Sequence, residues 1–246
     1  MGEPWAVDYA RAMGFLFVHG GAHGAWCWER VLPHLESPAR AMDLPGRGTR
    51  PANLDLVKLD DWVDAVVDEI VQSGDESTVL VGHSLAGITL PRVAERIPER
   101  LAHLIFVACT VPEEGRAVLE DLAPDVELLA KQNLEHPVAM TLPDEIATQM
   151  FCNDMNAEQT RFVLDHLVPE AWLPMQTPNR LAGLKRGAPA TYVKLLQDQS
   201  LPPELQDQMI RNIGTPRVVV MDAGHNVMIS QPEALANLLN ELVADN

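Results

Sequence analysis

Short apolar runs of strand length alternate with helix-like patterns along much of this 246-residue chain. Strand-like runs occupy residues 15–18, 39–43, 78–81, 103–108, 190–196 and 217–221. Between them apolar residues recur at helical spacing, as Trp62, Val66 and Ile70 do. Strands that alternate with helices favour a mostly parallel sheet that is covered by helices on both faces. The predicted fold class is therefore α/β.

The alternation stops between residues 111 and 188, which are rich in Leu, Met, Pro and acidic residues. Helical patterns lie at residues 144–151 and 157–167, and no convincing strand interrupts them. Parallel sheets of this kind place their sites at the carboxyl ends of the strands. We interpret the segment as a helical cap insertion over that end. The expected division is a core of residues 1–110 and 189–246 and a cap of residues 111–188.

Three helix predictions carry positional detail. Residues 28–35 repeat apolar side chains at helical spacing, and residues 85–97 form one predicted helix. Pro91 should kink that helix or restrict it to its first turn, since proline lacks a backbone N–H. Ser230 is expected to cap the last helix, with Pro232 near its first turn.

Charge and composition exclude several classes of partner. The formal net charge is −17, whereas nucleic acids and anionic membranes are bound by clustered Lys and Arg. The first fourteen residues are partly acidic and lack an apolar run, so we expect no signal peptide. The longest apolar runs are well short of the roughly 20 residues of a membrane span. A cytoplasmic protein without nucleic-acid or membrane partners is expected, and a homodimer is among the assemblies left open.

The stretch VLVGHSLAG, residues 79–87, places a serine in a tight turn between a strand and a helix. That arrangement is the nucleophile elbow, in which the residues two before and two after the serine must be small. Gly82 and Ala86 occupy those positions around Ser84. The usual second small residue is glycine, so Ala86 is a mild departure. The strand before and the helix after Ser84 make a chance match less convincing.

A serine hydroxyl needs a general base, and in this fold class the chain order is serine, acid, histidine. Of the eight histidines, only His225 follows the last predicted strand. Asp198, just past the preceding strand, is the favoured acid because it could steady the imidazolium of His225. Asp222 is a rival close to His225, and the pair Glu113 and Glu114 follows an earlier strand. His83 is expected to be structural or near the pocket.

An oxyanion hole requires two backbone N–H groups. One should belong to Leu85, directly after the serine, and the other to the loop at residues 19–21 after the first strand. Glycines in that loop allow the backbone to approach a substrate closely. The three cysteines are widely spaced and suggest no zinc site. We expect neither a metal nor a cofactor.

The sequence resembles the α/β-hydrolase superfamily, in the branch of plant hydroxynitrile lyases, methyl-salicylate-type methylesterases and bacterial esterase relatives. The matching stretches, in chain order, are FVHGGAHGAWCW (17–28), DLPGRG (43–48), LVGHSLAGITLP (80–91), FCNDM (151–155), YVKLLQDQSLP (192–202) and AGHNVMISQPEAL (223–235). They span nearly the whole chain. The resemblance implies an α/β-hydrolase fold with a helical cap.

Site roles also follow from the resemblance. It implies that Ser84 is the nucleophile, Asp198 the acid and His225 the base. Gly21 and Leu85 would supply the oxyanion N–H groups. Lyases of this branch carry threonine after the first-strand histidine and lysine after the catalytic histidine. Gly20 and Asn226 stand there instead, which favours ester hydrolysis.

We therefore expect a serine esterase that cleaves small to medium hydrophobic or aryl esters through an acyl-enzyme intermediate. Its pocket would be apolar and covered by the cap. The sequence leaves alternatives open: a carbamate, lactone, carbon–carbon or cyanohydrin bond, cofactor-free oxygen chemistry, or a ligand receptor on the same scaffold. Fold alone does not decide among these.

Overall fold

The computed structural model describes residues 13–120 and 141–244. The strands of this part of the chain form one six-stranded sheet of order β2-β1-β3-β4-β5-β6, and each neighbouring pair is parallel. The strands are β1 (Gly14–Val18), β2 (Ala39–Met42), β3 (Thr78–His83), β4 (Leu101–Val107), β5 (Ala190–Leu195) and β6 (Arg217–Met221). All six predicted strands and the parallel α/β sheet are confirmed.

Helices cover both faces of the sheet. In the described ranges the α-helices are α1 (Leu59–Ser73), α2 (Leu90–Arg96), α3 (Asp144–Phe151), α4 (Ala157–His166), α5 (Leu173–Gln176), α6 (Pro203–Ile213), α7 (Val227–Ser230) and α8 (Pro232–Ala244). Apolar residues of α1, α2, α5 and α6 share one buried cluster. Those of α3, α4, α7 and α8 share the other.

Successive residues of the central strands point to opposite faces of the sheet and so belong alternately to these two clusters. Leu80 of β3 lies in the first cluster, and its neighbours Val79 and Val81 lie in the second. Because both faces of β3 are covered, all six of its residues are buried. A parallel strand that is buried on both faces reads as a continuous apolar run. This is why the strands were recognisable in the sequence.

Proline divides the predicted helix at residues 85–97. The structure has a 3-10 helix over Ser84–Ile88 and then α2, in which Pro91 lies in the first turn. The first turn tolerates proline because its N–H groups have no partner within the helix. Similarly, residues 28–35 form parts of two 3-10 helices, Ala25–Trp28 and Leu32–His34, rather than one α-helix.

The prediction that Ser230 caps the N-terminus of the last helix is wrong. Ser230 is the last residue of α7, and its hydroxyl donates to Oδ2 of Asp154 at 2.7 Å. The last helix, α8, begins at Pro232 as expected from the position of that proline. Helix α6 was not anticipated from the sequence.

The described residues between β4 and β5, 108–120 and 141–189, form helices and turns but no strand. The predicted helices at residues 144–151 and 157–167 correspond to α3 and α4. Part of the expected cap, residues 121–140, lies outside the described ranges, and the cap boundaries stay a prediction. None of the helices in residues 13–120 and 141–244 is long and apolar enough to cross a membrane.

The strand order determines where a site can form. From β1 the chain passes to β2 on one side, whereas β3 and the later strands lie on the other side. The carboxyl ends of β1 and β3 therefore flank the switch point, where open α/β sheets have their ligand crevice. Val18 and Gly82 are paired in register at these ends. The loops after them carry Gly21 and Ser84.

Candidate active site

Ser84 lies at the end of β3 in a strained turn. Its φ is 52°, in the left-handed region that residues with a Cβ rarely adopt. Small neighbours make this turn feasible, because a Cβ on Gly82 would lie 2.7 Å from Cδ1 of Leu90. Thr110 donates its N–H to the Ser84 carbonyl at 2.9 Å and holds the turn from the β4 side. The elbow expected from the sequence is therefore present as a backbone feature.

A row of hydrogen bonds joins Ser84, His225 and Asp198. Oγ of Ser84 lies 3.0 Å from Nε2 of His225, and Nδ1 of His225 lies 2.7 Å from Oδ2 of Asp198. A carboxylate only accepts, so Nδ1 carries the proton and Nε2 presents its lone pair to the serine hydroxyl. His225 and Asp198 are 1% and 3% exposed. The row has the order that a general base and its orienting acid require.

The Asp198 carboxylate is itself fixed in place. Its second oxygen, Oδ1, accepts the N–H groups of Ser200 and Leu201, both at 2.8 Å. The rival acids lie elsewhere and are exposed: Asp222 accepts from Gln197, Glu114 from the amide of Leu181. Asp198 is thus the acid that the structure brings to His225.

His83 supports the backbone of His225. Its Nε2 donates to the His225 carbonyl at 2.9 Å, and the two rings are 4.5 Å apart. Burial, with repulsion from His225 and His23, lowers the pKa of His83 well below its usual value, so the ring is neutral. This agrees with the expectation that His83 is structural or near the pocket.

The loop after β1 contacts the serine on its other side. A Cβ on Gly20 would lie 2.7 Å from Cβ of Ser84, so the loop passes where only glycine fits. Gly21, the next residue, is beside Leu85, since a Cβ on Gly21 would lie 3.3 Å from Cδ2 of Leu85. The structure therefore brings together the two residues expected to supply oxyanion N–H groups.

His23 links this loop to the residue after His225. Its Nδ1 donates to the Gly21 carbonyl at 2.6 Å, and its Nε2 accepts from Nδ2 of Asn226 at 3.0 Å. Burial lowers the pKa of His23 to about 3, and a neutral ring suits one donor and one acceptor. The loop after β1 and the loop that carries His225 are thus connected.

Residues between β4 and β5, the segment expected to cover the pocket, also hold the site, through two residues that had no predicted role of their own. Asp154 accepts the N–H of Gly224, directly before His225, at 2.7 Å. Asn153 donates to the carbonyl of Gln197, directly before Asp198, at 2.8 Å. Both belong to the FCNDM stretch, which was noticed only as a resemblance. The Phe151 ring in the same stretch stacks against His225 at 5.6 Å.

Another unanticipated pair is buried near Gly21. Glu170 accepts the N–H of Ala22 at 2.7 Å and forms an ion pair with Arg47 of the DLPGRG stretch. The side chains of Arg47 and Glu170 are only 1% and 4% exposed. In the part of the chain that the structure covers, His, Cys, Asp and Glu form no group of three that could hold a metal ion.

Comparisons with known proteins agree with this architecture. The model of the alpha/beta hydrolase family matches residues 15–238. Probable esterase PIR7A of Oryza sativa is 29% identical, over 94% of this chain and 96% of its own. Methylesterase 10 of Arabidopsis thaliana is 29% identical, over 94% of this chain and 91% of its own. The predicted resemblance to the methylesterase-like branch is confirmed.

Solved structures show the same fold. An extracellular alpha/beta-hydrolase from a Paenibacillus species superimposes with a TM-score of 0.84 at 21% identity. The match covers 93% of this chain and 98% of that one. The predicted α/β-hydrolase fold is confirmed.

Proposed function

This chain belongs to the alpha/beta hydrolase family and is a carboxylic ester hydrolase, and we propose that Ser84 is its nucleophile. In this proposal His225 is the general base and Asp198 the acid that orients it. Gly21 and Leu85 supply the oxyanion N–H groups. The substrate is a small to medium hydrophobic or aryl ester, and no cofactor takes part.

The observation that carries the proposal is the row Ser84–His225–Asp198, with distances of 3.0 Å and 2.7 Å. The row starts at a strained elbow and ends on a buried, doubly anchored carboxylate. Each group therefore has one orientation and one protonation role. Because these groups are already positioned, the reaction avoids much of the entropy loss and solvent reorganisation that bringing them together in water would cost.

The reaction follows from this geometry. Nε2 of His225 takes the proton of Ser84 as Oγ bonds to the ester carbonyl carbon, and the carbonyl oxygen becomes an oxyanion. When the tetrahedral intermediate collapses, the bond to the alcohol oxygen breaks and His225 protonates the leaving alcohol. Water then attacks the acyl-enzyme while His225 takes its proton. His225 returns that proton to Oγ as the acid leaves and Ser84 is restored.

Two contacts favour ester hydrolysis over cyanohydrin cleavage. A side chain at position 20 would collide with Ser84, since even a Cβ on Gly20 lies 2.7 Å from Cβ of Ser84. The threonine that the resemblance leads one to expect at this position in a lyase therefore has no room here. Asn226, where those lyases carry lysine, is fully buried and bonded to neutral His23. Position 226 thus supplies no positive charge to stabilise a cyanide ion.

We further propose that residues 111–188 act as a cap over a core of residues 1–110 and 189–246. Support comes from Phe151, whose ring packs on His225, and from buried Trp172 in the same segment. Phe151 places apolar surface beside His225, which favours a hydrophobic acyl or alcohol group. The cytoplasmic location and the homodimer stay predictions, for cell fractionation and analytical ultracentrifugation to test.

Hydrolysis of p-nitrophenyl esters, from acetate to decanoate, tests the proposal. Wild type, Ser84→Ala and the control Ser73→Ala, in helix α1 and remote from the site, are assayed side by side. The proposal predicts fast turnover by wild type and Ser73→Ala only, with an optimum chain length that sizes the pocket. If folded wild type cleaves none of these esters, the proposal fails. A panel of carbamates, lactones and cyanohydrins, with a thermal-shift ligand screen, would then identify the replacement.

A further inference from the structure

Both polar groups of the peptide bond between Gly21 and Ala22 are hydrogen-bonded to side chains. Its carbonyl accepts Nδ1–H of His23 at 2.6 Å, and its N–H, that of Ala22, donates to Oε2 of Glu170 at 2.7 Å. A peptide unit is planar, so fixing both groups fixes the orientation of the whole plane. The N–H of Gly21 lies on the other side of the Gly21 Cα, and only the two backbone dihedral angles of Gly21 separate it from that plane.

Ala22 has a conformation that needs such support. Its φ is 57°, in the left-handed region, and a residue with a Cβ persists there only when its surroundings hold it. Its carbonyl provides a further attachment, because Val168 donates its N–H to that oxygen at 3.0 Å. Residues 168–170 therefore bind Ala22 through both its N–H and its C=O.

Glu170 is built into this position. It is 3% exposed, and its other oxygen, Oε1, accepts the N–H of Ala171 at 2.7 Å and pairs with Arg47. A buried carboxylate requires a partner of this kind. The pairing also matters for the reaction, because Oε2 would lie 3.1 Å from a Cβ on Gly21. Without Arg47, an unpaired negative charge would face the site where the oxyanion develops.

We propose that Glu170 is a positioning residue: by accepting the Ala22 N–H, it keeps the Gly21 N–H directed toward the oxyanion. The inference rests on the proposed function, in which Gly21 is an oxyanion donor. Glu170 touches no reacting atom. Its contribution should therefore affect the transition state more than substrate binding, and so kcat more than KM.

A matched pair of double variants separates the hydrogen bond between Glu170 and the Ala22 N–H from the ion pair between Glu170 and Arg47. Arg47→Met/Glu170→Gln and Arg47→Met/Glu170→Met both remove the two buried charges and keep similar side-chain volumes. Only the glutamine retains an oxygen that can accept the Ala22 N–H. Circular dichroism and melting temperature establish folding, and titration with a p-nitrophenyl phosphonate counts competent Ser84.

Per competent site, we expect the methionine variant to lose about 10- to 100-fold in kcat on p-nitrophenyl butyrate, with KM within about threefold, since losing an oxyanion donor outright costs about 10²–10³. The glutamine variant should recover most of that loss. An aryl trifluoromethyl ketone, whose adduct with Ser84 places an oxyanion in the hole, should lose affinity in parallel with kcat.

Two results would overturn the inference in distinguishable ways. Equal kcat per competent site in the two double variants, with wild type active, removes the role of Glu170 and leaves the esterase proposal intact. Wild type that neither cleaves p-nitrophenyl butyrate nor reacts with the phosphonate at Ser84 removes the proposed function, and this inference with it.

Discussion

The two sides of Ser84 are built by different means. On one side, His225 and Asp198 would act through their own side chains: Nε2 of His225 lies 3.0 Å from Oγ of Ser84, and Nδ1 lies 2.7 Å from Oδ2 of Asp198. On the other side, Gly21 and Leu85 would act through backbone N–H groups, and their own side chains contribute nothing chemical. The backbone geometry there is held by other side chains: Glu170, from the segment between β4 and β5, and His23, from the same loop as Gly21.

The difference shows what each side requires of the sequence. A side-chain role requires one residue type at one place, so substitution removes the function at once. A backbone role requires a loop shape, which depends on a glycine that lets two loops touch and on distant side chains that hold the loop. We therefore expect large, all-or-none effects on the acid–base side and graded effects on the oxyanion side.

The largest effect should come from the serine and its base. Ser84→Ala and His225→Ala should each lower kcat by about 10⁶-fold, and the double variant should lose little more, because the two groups act as one unit. Initial rates on p-nitrophenyl esters, corrected for folded protein, measure this. If the losses in kcat of the two single variants add up in the double variant, Ser84 and His225 do not act as one unit.

The next effect concerns the acid. Asp198→Asn should lower kcat by about 10⁴-fold, because an amide at this place favours the wrong tautomer of His225. Asp222→Asn is the matched control, since Asp222 also follows a strand near the site but is exposed and bonds to Gln197. It should stay within a fewfold of wild type. The opposite ranking would make Asp222 the acid.

The oxyanion side should respond to crowding. Gly20→Ala places a Cβ 2.7 Å from Cβ of Ser84 and must push the two loops apart, so we expect kcat to fall by about 100-fold with a smaller change in KM. Gly74→Ala is the control: Gly74 has a φ of +79° but nothing within 4 Å of its added Cβ. It should affect stability but leave kcat unchanged. A fully active Gly20→Ala would show that the loop contact is dispensable.

The smallest effect is a pH dependence of stability on the oxyanion side. Burial lowers the pKa of His23 to about 3 and that of His19 to about 4, against 6.5 when unfolded. The unfolded chain therefore binds more protons below pH 6.5, and the free energy of unfolding should decrease as the pH falls from 6.5 toward 4.

Each of these histidines should contribute up to about 1.4 kcal/mol per pH unit to that slope. His23→Gln should remove one such contribution between pH 4.5 and 5.5, measured by urea unfolding followed by tryptophan fluorescence. The variant of an exposed histidine, His34→Gln, serves as the control and should keep the slope. An unchanged slope in His23→Gln would mean that His23 is not held neutral.

Most of the fold was predictable because its signals are local. The strands are buried on both faces at the centre of the sheet, so their apolar runs are continuous. The meeting of Ser84, Asp198 and His225 was predictable for a related reason, since each of them follows a strand and the carboxyl ends of parallel strands lie at one edge of the sheet. Helix details were less predictable, since Pro91 divides one helix and Ser230 bonds to Asp154 instead of capping α8.

The supporting ion pair of Glu170 and Arg47 could not be predicted from the sequence. Glu170 and Arg47 are 123 positions apart, and neither has a local pattern that distinguishes it from an exposed charge. Their partnership depends on how residues 168–170 pack against the loop after β1. Recognising a long-range pair of this kind requires the three-dimensional structure, whereas the elbow can be recognised from its short spacing in the sequence.

The most direct test of the proposed chemistry is the mass of the trapped acyl-enzyme. Wild type is mixed with a p-nitrophenyl ester, quenched in acid within milliseconds, and analysed by intact-mass spectrometry and peptide mapping. The proposed mechanism predicts one acyl group per chain, on the peptide that contains Ser84, and none on Ser84→Ala. Acyl groups on another residue, or rapid ester turnover by Ser84→Ala, would contradict it.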